Sequence, residues 1–141
     1  MLSIFTKRSF ASVHANPHVY LSVSKAGQHV GDLIFLLYAD RQPNTGENFV
    51  NLCTNKDGAS LRGTHFHHGL QGFGISGGKI GEEDVSSHGI RLPDENLEIR
   101  HSKRGLLTTQ THGKNAIGSQ FTITFGETPY LDGYQAVFGE Q

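Results

Sequence analysis

Apolar and polar residues alternate from His18 to Ser24, with Val19, Leu21 and Val23 on one face. Successive side chains of a strand point to opposite sides, so this pattern predicts a half-buried β-strand. Lys25-Ala26-Gly27-Gln28 supplies a turn, and Val30 to Ala39 predicts a second strand that completes a hairpin. The apolar run Leu33 to Ala39, interrupted by the Tyr38 hydroxyl, is far too short to span a bilayer. The period then changes. Pro43 fixes φ where a helix begins, Glu47 sits favourably near its N-terminal end, and Phe49, Leu52 and Cys53 follow at i, i+3 and i+4. Asp57-Gly58 ends that helix with a turn. Short strands are predicted at Thr64 to His67, Phe73 to Ser76, Gly105 to Thr109, Gln120 to Thr124 and Ala136 to Phe138, joined by glycine-rich connections. Several short strands with one marked helix predict a small barrel with the helix over its opening.

Composition narrows this further. A chain of 141 residues suits a single core, and 18 glycines favour a fold rich in turns. The formal charge of −1 gives no field to attract nucleic acid, so none is expected as a partner. One cysteine, Cys53, excludes an intrachain disulfide and fits a reducing compartment. Met1 to Ser12 carries Lys7, Arg8, three serines and a threonine, and no acid precedes Asp32. That composition is the one organellar transit peptides share, although a plain disordered tail has it too. Residues 1–15 are therefore assigned to an N-terminal extension and residues 16–141 to the folded domain.

Several strings then occur in a telling order. Asn44 to Cys53 (NTGENFVNLC) resembles the first helix of the cyclophilins, and Phe66 to Gly78 (FHHGLQGFGISGG) resembles their main signature, FHRVIPGFMCQGG. Asp94-Glu95-Asn96, Gly105-Leu106-Leu107, Gly118 to Phe121 (GSQF), Leu131 to Gly133 and Val137 to Gly139 follow in family order. The resemblance runs from about Asn16 to Gly139 and implies the prolyl-isomerase fold, an antiparallel β-barrel with a capping helix. In that family another helix and a final strand close the wall, and neither has a counterpart before Gln141. The expectation is an open strand edge that a partner subunit, or the chain's own N-terminal extension, covers.

The resemblance also locates a site. An Xaa-Pro amide rotates over a barrier of about 18–20 kcal/mol. A catalyst needs a donor aimed at the prolyl nitrogen, an apolar pocket for the ring, and polar groups that grip the flanking backbone. The family's donor arginine is replaced by His68, and its glutamine by Ser76. Its pocket methionine corresponds to Gly74, and the second phenylalanine of its SQFF string to Thr122. The tryptophan and histidine neighbours correspond to Tyr130 and Gln135, and the Ala-Asn pair to Gln110-Thr111. Phe73, Gln120 and Leu131 match the family. A hydrogen bond from a charged donor is worth about 1.5–3 kcal/mol, so losing the arginine alone costs about one to two orders of magnitude in rate.

His65, His67 and His68 cluster, but His65 and His67 make half of a tetrahedral site with no cysteine or carboxylate beside them, so no metal is assigned and no cofactor is expected. Arg100, His101, Lys103 and Arg104 read as a solvated basic loop. The resemblance and the altered site together imply a non-catalytic accessory subunit of a larger, mitochondrial complex, held by other protein subunits and able to meet a proline-containing segment. The alternative is a weakly active peptidyl-prolyl cis-trans isomerase that assists folding, with a cytoplasmic location as the other option.

Overall fold

The computed structural model describes residues 2–9, 16–55, 58–111 and 113–141, with Ile4 the described side chain of the first strand. Its eight strands are β1 (Leu2–Ser9), β2 (His18–Lys25), β3 (Gln28–Leu37), β4 (His68–Leu70), β5 (Gly74–Gly77), β6 (Leu106–Thr109), β7 (Phe121–Thr124) and β8 (Val137–Glu140). They form one sheet in the order β1-β2-β3-β8-β6-β7-β5-β4, curled into a barrel-like wall with antiparallel pairing throughout. The fold is the mainly β, cyclophilin-like architecture that the pattern of strands and single helix predicts.

The β2–β3 hairpin forms as expected. Ala26 (φ 52°) and Gly27 (φ 81°) both take positive φ, the geometry that matches the twist of a two-residue hairpin loop. Helix α1 (Pro43–Thr54) begins at the proline and ends at Asn55 in the left-handed region. The predicted terminating turn at Asp57 lies outside the described residues. Glu95 satisfies the helix's first N–H groups, accepting from Asn44 (3.0 Å), Thr45 (2.6 Å) and the Thr45 hydroxyl (2.8 Å). Buried Gln42, just before the helix, donates to the carbonyls of Asn96 and Val137. Phe49 then projects into the core against Phe121 (centroids 5.3 Å) and Phe138 (5.2 Å).

One expectation is corrected. The strand predicted at Thr64 to His67 lies further on, at His68–Leu70, because the backbone of Gly63 and Thr64 is committed elsewhere. All three β4 residues are exposed, so no alternation marks them in the sequence. The N-terminal extension contributes a strand. Residues 2–9 form β1, pairing antiparallel with β2 from Leu2↔Lys25 to Ser9↔His18, while residues 10–15 lie outside the described part. On its other side Ile4 donates its N–H to Thr64 O (3.0 Å) and accepts from the Gly63 N–H (2.8 Å). The β2 edge is thus covered by the chain itself, and β1 in turn bonds to the Gly63-Thr64 segment ahead of β4.

Candidate functional site

Four strands carry the candidate site residues in one register row. His68 on β4 lies opposite Ser76 on β5, Ser76 opposite Thr122 on β7, and Thr122 opposite Thr108 on β6. The neighbours Phe121 and Ile123 belong to the apolar core, so by alternation this row faces the other side of the sheet. Ser76 Oγ and Thr122 Oγ1 are 2.8 Å apart and hydrogen-bonded, and each residue is 1% exposed. His68 at the end of the row is exposed.

Gly74 explains how the row packs so closely. A Cβ there would stand 2.4 Å from Ile123 O and 3.1 Å from Thr122 Cγ2, so no side chain fits. The position equivalent to the family's methionine is filled by the backbone of β7. Two register positions along, Ser76 and Thr122 meet through their hydroxyls.

Phe73 and Tyr130 meet beside the row, with stacked rings 6.1 Å between centroids and 19° between planes. Tyr130 stands on a 3-10 turn (Pro129–Leu131) and is 63% exposed, while Phe73 and Leu131 are half-buried. Phe125, also exposed, ties its N–H to Phe73 O. Gln110 donates its N–H to Gln120 O (3.1 Å), which joins the two segments that the resemblance assigns to peptide binding. Thr111 and Gln135 line a separate groove of about 810 Å³, bounded also by Asn115 and Asp132. The buried Oε1 atoms of Gln110 and Gln135 have no hydrogen-bond partner among the described residues.

Sequence reasoning missed two groups. His101 is not in a solvated basic loop. It is 1% exposed, with Nδ1 2.9 Å from Asp132 Oδ1 and Nε2 2.8 Å from Thr108 Oγ1. The His101 backbone N–H also donates to Asp132 (2.7 Å), and these bonds hold the Asp132 carboxyl below its ordinary range. The second group is Asp84, whose carboxylate binds the start of the Gln120 segment; its position between exposed Glu83 and half-buried Val85 gave no signal. Asn48 of α1 supports the same segment, donating to Gly118 O (2.9 Å) and accepting from Ser87 N–H (2.8 Å). Of the clustered histidines, His67 is pushed down by burial and by nearby Lys79. Among the described residues no three metal-ligating side chains converge.

Comparisons agree with this arrangement of strands and motifs. Residues 19–140 match the family described as cyclophilin type peptidyl-prolyl cis-trans isomerase/CLD. The chain is 36% identical over 136 residues to a protein of Rhizopus delemar named peptidyl-prolyl cis-trans isomerase cyp11. That match covers 88% of this chain and 40% of the relative, so the chain spans about two fifths of the relative's length. The chain belongs to the cyclophilin-type peptidyl-prolyl isomerase family.

Proposed function

We propose that this domain works as a binding module rather than as an efficient isomerase, serving as an accessory subunit within a larger, mitochondrial assembly. The observation that carries this reading is the Ser76–Thr122 hydroxyl pair, which stands where the family pattern has its glutamine and pocket phenylalanine. One hydroxyl donates to the other and both residues are shut away from solvent, so neither is presented to a substrate backbone. His68, in the donor arginine's place, offers an imidazole that is shorter and lacks the guanidinium fork. The stacked Phe73 and exposed Tyr130 still offer an apolar platform on which a proline ring can rest. In this reading the site holds a proline-containing segment of a partner without accelerating its rotation. The basic, hydroxylated residues 2–9 then serve as an import address before folding and as strand β1 afterwards, remaining uncleaved.

The test is the rate of cis–trans interconversion of an Xaa-Pro peptide with and without the protein. Acceleration near that of ordinary family members refutes the binding-module reading. Native size in a gentle extract tests the assembly: migration at the 15.4 kDa of the single chain counts against it. A second reading, a weak isomerase that assists folding, is favoured by the Phe73–Tyr130 contact and by the isomerase name of the Rhizopus relative.

A further inference from the structure

We propose that Asp84 is an internal occupant of an oxygen-binding subsite made by the Ser119 and Gln120 N–H groups, and that it restricts which segments the adjoining site accepts. Asp84 Oδ1 accepts from Ser119 N–H at 2.8 Å and Gln120 N–H at 3.2 Å, with the Ser119 hydroxyl at 3.5 Å. Two consecutive main-chain donors converging on one oxygen form a small anion-binding nest. The side chain comes from the connection between β5 and β6, far in sequence from the nest it fills.

Three further observations show an acid pressed into a made space. Asp84 is 8% exposed although Gly81, Glu82 and Glu83 before it are exposed. Gly118 lies directly beneath it, and a Cβ at Gly118 would stand 2.2 Å from Asp84 Oδ1. The second oxygen, Oδ2, is buried without a hydrogen-bond partner among the described residues. A half-satisfied buried carboxylate is a costly tenant. A peptide carbonyl needs the same two donors without bringing a charge into that space, so an acceptor oxygen of an incoming segment can replace the carboxylate.

The location gives this occupancy a role. Gln120 donates its N–H to Asp84 and its carbonyl accepts from Gln110 N–H, so the nest abuts both segments of the candidate site. With Asp84 in place, a segment lying over Phe73 and Tyr130 is denied these two donors. This role, unlike the nest itself, rests on the proposed binding of a proline-containing segment.

The experiment uses the full chain, its Asp84→Ala and Asp84→Asn variants, acetate as the probe oxygen, and a labelled Ala-Pro peptide. In amide-proton spectra, acetate should shift Ser119 and Gln120 saturably in Asp84→Ala and leave both unmoved in Asp84→Asn, whose amide oxygen keeps the nest filled. The peptide should bind Asp84→Ala about five- to ten-fold more tightly than the unchanged chain, the gain of one backbone hydrogen bond or slightly more. If acetate moves neither amide in Asp84→Ala, the subsite is refuted. If acetate binds but the peptide binds no form of the chain, the proline-binding reading falls and the selective role falls with it. If the peptide binds all forms equally, the selective role alone is refuted. Asp84→Ser, too short to reach both donors, gives the same readouts should the alanine variant not fold.

Discussion

Ser76 on β5 and Thr122 on β7 face each other in register and share a 2.8 Å hydrogen bond, both shut away from solvent. A buried hydroxyl deprived of its partner bears the full cost of desolvation, whereas removing both partners together can be nearly neutral. Ser76→Ala alone should therefore cost about 1–3 kcal/mol. The double change Ser76→Ala with Thr122→Val should recover part of that loss. Urea unfolding of the two single variants and the double variant measures the coupling, and strict additivity would contradict the bond's isolation from water.

Gly74 gives a sharper steric case. Its Cβ position lies 2.4 Å from Ile123 O, a main-chain atom that cannot swing aside. Gly74→Ala should lower stability by about 1–3 kcal/mol through overpacking. Gly74→Met, which matches the family pattern, should be worse and should not create isomerase activity. Thermal unfolding followed by circular dichroism reads the first expectation, and the Xaa-Pro rate assay reads the second.

Strand β1 is held by more than its backbone. Ile4 is wholly buried and belongs to the main apolar cluster, whereas Ile34 on β3 is 59% exposed. Ile4→Ala should cost about 2–5 kcal/mol, and Ile34→Ala should stay within about 0.5 kcal/mol. Equal effects in denaturant titrations would mean that β1 contributes little to the core.

Acid should loosen the domain through Asp132. The His101 backbone N–H and ring bind its carboxylate and depress its folded pKa below the ordinary 3.8. In the interval between the two values the unfolded chain binds more protons, so stability rises with pH. The contribution is full above about pH 5 and is lost as pH falls through the folded pKa. Asp132→Asn should accordingly be less stable than the unchanged chain near neutrality, with the gap narrowing towards about pH 3. A gap that stays constant across that range would assign the effect to packing instead.

Much of this fold is legible in the sequence because local chemistry and burial agree. The β2–β3 hairpin shows alternation before a turn that contains Gly27 and an apolar run after it, and α1 is announced by Pro43 and the Phe49, Leu52, Cys53 stripe. The substituted site positions are also readable, since each falls at a fixed place in the signature strings. What could not be read depends on contacts between distant segments. His101 looks like part of a basic loop until Asp132 and Thr108 enclose it. Asp84 looks like the third acid of a solvated run until its carboxylate meets Ser119 and Gln120. The Ser76–Thr122 hydroxyl bond appears only once β5 and β7 lie side by side, a pairing of segments distant in the chain. Residues 2–9, basic and hydroxylated, resemble a tail because their pairing partner, not their own composition, makes them a strand.

The two seams of the wall also differ in when they can form. β1, β2 and β3 follow one another in the chain and pair as neighbours, so their loops close cheaply and early. The join of β3 to β8 rests on Leu36↔Glu140 and Leu37↔Gly139, pairs separated by most of the chain. As the polypeptide emerges from the ribosome, a three-stranded meander can stand complete while its far side still awaits β8. For that interval Leu36 and Leu37 present a bare strand edge to the cell. The newborn domain is thus exposed at the β3 side, and a chaperone that guards its synthesis has that edge to cover.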